Sequence, residues 1–180
     1  MRALVADDDP VAATLISQAL IAWGFDVVVA HDGHSAWEHI TADPAPSIAV
    51  LDWEMPGLDG PAICRRLRSE PSRAHLYVVL ITVRGDRHDI VTGLGAGADD
   101  YVVKPVDLNE LRARIQVGER VVTLQNRLAE KVHQLESSLA RAKQVKGPLP
   151  FGGPVADPHH TQLMRTIRGA TRASASVPRA

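Results

Sequence analysis

Asp7, Asp8 and Asp9 follow one another directly after the apolar stretch "RALVA", and that placement needs a physical reason. Two carboxylates about 4 Å apart repel by roughly 4 kcal/mol at an effective dielectric near 20. Such a cluster is either fully solvated or balanced by a cation. Further along the chain stand another acid at a strand end (Asp52), a hydroxyl (Thr82) and a cation (Lys104). Hard oxygen ligands suit Mg2+, which takes one or two carboxylates, keeps waters and binds beside a phosphoryl group. Acids, a hydroxyl and a lysine around such an ion form a set for phosphoryl transfer, where positioning and charge neutralisation outweigh covalent chemistry. A carboxylate is already ionised at neutral pH, so the transfer needs no general base.

These residues can meet only if the fold brings them together. "RALVA" (2–6), "FDVVVA" (25–30), "SIAVLD" (47–52), "YVVLIT" (77–82) and "DYVV" (100–103) read as short, β-branched strands. Their near-continuous apolar character predicts strands buried on both faces. Helix-period segments fill the gaps: Pro10 to Trp23, ended by Gly24, then 34–42, 60–70 and 87–96. Strands alternating with helices predict a doubly wound α/β fold with a five-stranded parallel sheet and right-handed crossovers. Ligands of such sheets bind beyond the C-terminal strand ends. Asp7, Asp8, Asp52, Thr82 and Lys104 all fall there, and they converge if the strand order is 2-1-3-4-5.

From Asp107 the chain changes character. Residues 107–145 contain no proline and a single glycine, Gly118. Val121, Leu128, Val132, Leu135, Leu139 and Ala142 keep a 3-4 spacing, with Gln125 filling one seam position. This predicts an extended C-terminal helix and a homodimer through residues 107–145, with Lys131 and Glu136 at opposed flanking positions. The alternative is an amphipathic last helix whose first turns pack on the sheet while the rest is solvated. Residues 147–180 are rich in Pro, Gly and Arg and predict a disordered tail. The division is therefore 1–120 as a globular domain, 121–146 as a helical extension and 147–180 as tail.

Charge follows the same division. Residues 1–106 carry 15 acids against 8 Lys/Arg, and residues 107–180 carry 6 against 12, giving −7 and +6, which sum to the chain's −1. The four arginines of the tail offer at most salt-sensitive, non-specific contacts, so nucleic acid is not an expected partner. No apolar run approaches the roughly 18 residues of a membrane helix. One cysteine, Cys64, forms no internal disulfide and reads as a buried small hydrophobe, which suits the cytoplasm.

In order and at these spacings, "LVADDDP", "LDWEMPGLDG", "LIT", "GLGAGADDYVVKP" and "LNELRARI" make residues 1–120 resemble the receiver domain of bacterial two-component response regulators, a flavodoxin-like fold. The resemblance implies that Asp52 accepts a phosphoryl group from a sensor histidine kinase or phosphotransfer protein. It implies Mg2+ held directly by Asp8, largely through water by Asp7, and by Asp52 and the backbone carbonyl of Glu54. Lys104 then pairs with a phosphoryl oxygen, Thr82 bonds another, and Tyr101 is the aromatic that changes rotamer with Thr82. The Lys104–Pro105 bond is a candidate cis peptide, and Asp9 beside Pro10 is a helix cap. The signal is expected to leave through strand five, the last helix and its extension.

Each residue also has a plainer reading: Asp52 as a strand-end cap, Lys104 as a surface lysine, Thr82 as a strand residue, Tyr101 as core. Val83 departs from the small residue the family usually has after Thr82, and it predicts slower phosphorylation, dephosphorylation or both. Glu54 and Arg84 flank the site and could pair over its mouth. Competing functions are a phosphorylation-independent adaptor and the N-terminal regulatory fragment of a longer signalling enzyme such as a diguanylate cyclase. A Mg2+-dependent phosphatase would place its nucleophile after strand one and leaves Asp52–Met55–Pro56–Gly57 unexplained. The glycines of "GLGAGA" precede a strand instead of following one, which excludes a dinucleotide loop.

Overall fold

The computed structural model describes residues 1–71, 73, 75–83 and 87–145. Its elements run β1 (Arg2–Ala6), α1 (Pro10–Ala22), β2 (Asp26–Ala30), α2 (Gly33–Thr41), β3 (Ile48–Asp52), α3 (Gly60–Ser69), β4 (Tyr77–Thr82), α4 (Arg87–Gly95), β5 (Asp100–Val103) and α5 (Leu108–Val145). The strands form one parallel sheet in the order β2-β1-β3-β4-β5. Compactness divides the chain into Met1–His133 and a second unit from Gln134, whose described residues, 134–145, are helical.

Alternation along the strands sends successive side chains to opposite faces. Leu4, Ala6, Ala49, Leu51, Val78 and Leu80 meet Trp37 and Ile40 of α2 and Ile63, Cys64 and Leu67 of α3. Ala3, Val5, Ile48, Val50, Val79 and Ile81 meet Ile16 and Leu20 of α1 and Leu111, Ile115 and Val122 of α5. The strands are not uniformly buried as their composition suggested. β3 and β4 are buried throughout, whereas β2, an edge strand, is buried only at Ala30. An edge strand has a neighbour on one side only, so its valines keep part of their surface in water.

Helix starts are set locally by aspartates. Asp9, Asp32 and Asp59 cap α1, α2 and α3 by accepting from backbone N–H groups of the first turn. Asp107 does the same for α5, accepting from Asn109 N at 2.7 Å. Gly24, at φ +96°, terminates α1 in the left-handed region. Gly118 has a packing reason. A Cβ there would lie 2.5 Å from the Tyr77 ring, so the glycine lets α5 approach β4 closely. The approach offsets the roughly 1 kcal/mol that glycine costs inside a helix. Among the described residues, no helix is long and apolar enough to cross a membrane.

Candidate functional site

Strand register brings the acids together. Ala6 pairs with Leu51, Asp52 with Ile81, and Thr82 with Val103. Asp7, Asp52, Thr82 and Lys104 therefore emerge side by side at the C-terminal edge of β1, β3, β4 and β5. Backbone bonds hold the exits: Asp7 N donates to Ala30 O at 3.2 Å, Trp53 N to Ile81 O at 2.8 Å and Lys104 N to Thr82 O at 2.7 Å.

Asp7 is 1% exposed, Asp52 7% and Thr82 2%, while Asp8 faces solvent. One carboxylate oxygen from each of Asp7, Asp8 and Asp52 falls in a group whose members all lie within 4.8 Å of one another. Asp9 N donates to Asp7 Oδ1 at 3.0 Å, and Trp53 N donates to Asp52 Oδ1 at 2.8 Å. The remaining oxygens face one cation. Lys104 Nζ lies 3.1 Å from Asp7 Oδ2 and 3.0 Å from Asp52 Oδ2. Asp7 Oδ2 is buried, and Lys104 meets it as its charge partner.

Burial pushes the Asp52 carboxyl above its ordinary value, and Asp7 adds repulsion, while Lys104 and the Trp53 N–H work against both. Burial also disfavours the Lys104 ammonium, but its bonds and attraction to Asp52 and Asp7 outweigh that and raise its pKa. Among the described residues two buried acids and one exposed acid share a single lysine, so these groups are short of positive charge and leave room for a further cation.

An open pocket of about 170 Å³ lies over these groups, lined by Asp8, Asp52, Trp53, Glu54, Thr82, Val83 and Lys104. Val83 is 69% exposed at its wall. Glu54 is exposed. The Lys104–Pro105 peptide is cis, and Pro105 joins Lys104 in a neighbouring apolar pocket against Leu15 and Ile16 of α1. Tyr101 is half-buried on β5, paired with Leu80, with the Arg114 guanidinium carbon 5.4 Å from its ring centre. Arg84 lies outside the described residues, as does the segment 147–180. Cys64 sits in the core, where burial pushes its thiol up to about 12, the behaviour of an inert hydrophobe.

Sequence reasoning did not single out Trp53. Its indole lines the pocket and packs on α4, where a Cβ on Gly93 would come within 2.8 Å of the ring. The available signal was an aromatic residue next to Asp52 paired with a glycine in a helix one strand away. His31 was also missed; its Nδ1 lies 3.2 Å from the Asp7 carbonyl oxygen.

A family model described as the response regulator receiver domain matches residues 3–116. The chain is 39% identical over 112 residues to the phosphate regulon transcriptional regulatory protein PhoB of Rhizobium meliloti, covering 62% of this chain and 49% of that protein. It is 36% identical over 146 residues to the response regulator PleD of Caulobacter vibrioides, covering 81% of this chain and 31% of that protein. A crystal structure of a putative response regulator from Chloroflexus aurantiacus is similar at a TM-score of 0.62 and 30% identity, over 68% of this chain and 97% of that one. The chain thus spans about half or less of the length of these curated relatives.

Proposed function

We propose a function from one premise: this chain belongs to the response regulator receiver domain family of two-component signalling. In this reading it is a phosphoacceptor module, not an enzyme acting on a separate substrate. Asp52 is the acceptor. A carboxylate oxygen attacks the phosphorus of a phosphohistidine on a sensor histidine kinase or phosphotransfer protein. The P–N bond breaks, its electron pair leaves with the imidazole, and an acyl phosphate remains on Asp52.

The observation that carries the reading is the position of Asp52 in the pocket, with Lys104 Nζ 3.0 Å away and oxygens of Asp7 and Asp8 beside it. Lys104 turns from the carboxylates to a phosphoryl oxygen, and the Thr82 hydroxyl bonds another. The donor set fits Mg2+: convergent carboxylates that include a buried pair short of positive charge, with Asp8 open to water. Asp8, Asp52 and the Glu54 carbonyl would hold the ion, with Asp7 beside them. When bound, the ion neutralises charge on the phosphoryl oxygens. Thr82 moving toward the phosphate opens space for Tyr101, and Arg114 of α5, which meets the Tyr101 ring, carries the change to the last helix. This reading places the protein in the cytoplasm with its kinase.

Incubation with Mg2+ and acetyl phosphate, followed by intact mass measurement, tests it. A gain of about 80 Da that requires Mg2+ and disappears in Asp52→Ala is expected. No gain from acetyl phosphate or from a phosphorylated histidine kinase overturns it in favour of a phosphorylation-independent adaptor.

A further inference from the structure

The acceptor pocket has two kinds of wall. Asp8, Asp52, Glu54, Thr82 and Lys104 are polar, whereas Trp53 and Val83 are apolar. The polar groups answer the charge of a phosphoryl group. None of them answers the group that leaves it. In an in-line displacement the leaving group departs opposite the attacking Asp52 oxygen, toward the open side of the pocket, so its chemistry is read by the walls there.

Trp53 is fixed beside the acceptor at both ends. Its N–H donates to Ile81 O and to Asp52 Oδ1, each at 2.8 Å, and its carbonyl oxygen accepts from Gly60 N at 3.0 Å. Its ring packs against the core and rests on α4 at Gly93, where a Cβ would lie 2.8 Å from Cζ3 and 3.4 Å from Cη2. Glycine inside a helix costs about 1 kcal/mol relative to alanine, so α4 forgoes helix stability to make room for this ring. The result is a half-buried aromatic side chain with a set position at the wall of a charged pocket.

We propose that Trp53 is a specificity-determining residue: its indole is a platform for the imidazole ring of a phosphohistidine donor, so the pocket favours ring-bearing phosphoramidates over donors without a ring. This rests on the phosphoacceptor reading of Asp52. In the step, an Asp52 oxygen forms the new O–P bond and the P–N bond breaks. Its electron pair stays on the ring nitrogen, so a donor ring protonated on its other nitrogen leaves as neutral imidazole. Aromatic rings gain from offset-stacked or edge-to-face contact beyond the area they bury. A platform already held in place loses little freedom in making that contact.

Three small donors isolate the leaving group. Phosphoimidazole and phosphoramidate both break a P–N bond, but only the first carries a ring; acetyl phosphate breaks a P–O bond and carries none. Second-order rates of the Mg2+-dependent mass gain are measured with each on the full 180-residue chain. Trp53→Leu keeps an apolar side chain against α4. It is expected to slow phosphoimidazole by roughly three- to tenfold and to leave the other two donors within about twofold. Trp53→Phe retains most of the preference for the ring. Gly93→Ala displaces the indole without altering residue 53 and lowers the same ratio. Equal slowing with all three donors, or an unchanged ratio in both Trp53→Leu and Gly93→Ala, overturns the platform and leaves Trp53 a packing residue. A wild-type chain that gains no mass from any of the three overturns the phosphoacceptor reading itself, and the platform with it.

Discussion

Two regions of this chain reverse the usual distribution of side chains, in opposite senses. At the C-terminal edge of the sheet Asp7 and Asp52 are buried, at 1% and 7% exposure; on α5 Leu128 and Leu135 are open, at 66% and 70%. The first reversal is answered inside the chain, because Lys104 stands about 3 Å from both acids. The second points outward. The difference follows from magnitude. A buried ion costs several kcal/mol, so the fold itself must supply the compensating charge. An exposed leucine forgoes only about 1.5–3 kcal/mol of burial and can wait for a partner.

Removing the compensating charge is the most severe way to break this comparison. Lys104→Met leaves two buried acids without their cation and is expected to lower stability by about 2 kcal/mol at pH 7. The loss should shrink as pH falls through the raised Asp52 value and that acid becomes neutral. Urea unfolding at pH 7 and pH 3 checks this; a loss that does not change with pH would mean the lysine matters only through its packing.

Asp52→Asn acts in the opposite direction. The folded state raises the Asp52 pKa, first by burial and then by Asp7. Ionised Asp52 therefore opposes folding above its raised pKa, and that opposition fades as pH falls through this value toward 3.8 and below. The variant should be more stable than wild type at pH 7 by on the order of 1 kcal/mol, with the gap closing in acid. Added Mg2+ should narrow the gap at pH 7 by stabilising only the wild type. Thermal melts across pH, with and without the ion, read both effects, and a wild type that is the more stable partner at pH 7 without Mg2+ would contradict the assignment.

Val83 brings the two kinds of reversal to one place, an exposed apolar residue at the mouth of the charged pocket. Val83→Ala should change stability by no more than about 0.5 kcal/mol. It should speed formation or decay of the aspartyl phosphate by widening access. Equal uptake and equal lifetime in the two proteins would remove Val83 from any gating role.

The architecture was legible in the residues because short β-branched runs alternate with helix-period segments, and Asp and Gly mark the helix ends. Asp9 before Pro10 and Gly24 after Trp23 act locally, so their roles needed no tertiary information. Trp53 was not legible, since its role comes from Gly93, a contact across 40 positions of sequence. The partial exposure of β2 was also hidden. Its valines look like those of β3, and only the strand order leaves it with one neighbour.

Residue order by itself determined that acids, a hydroxyl and a lysine would stand at strand ends, because strand boundaries follow from local patterning and a parallel sheet gathers equivalent ends on one edge. It also determined that residues after Asp107 would be helical and would carry an apolar period. Tertiary structure decided how charge is shared at the edge, because register sets Lys104 against two particular oxygens. It also decided which apolar residues of α5 are covered. Leu111 and Leu128 differ in nothing a sequence records; one faces β-sheet and the other faces water, and burial is a property of what lies opposite.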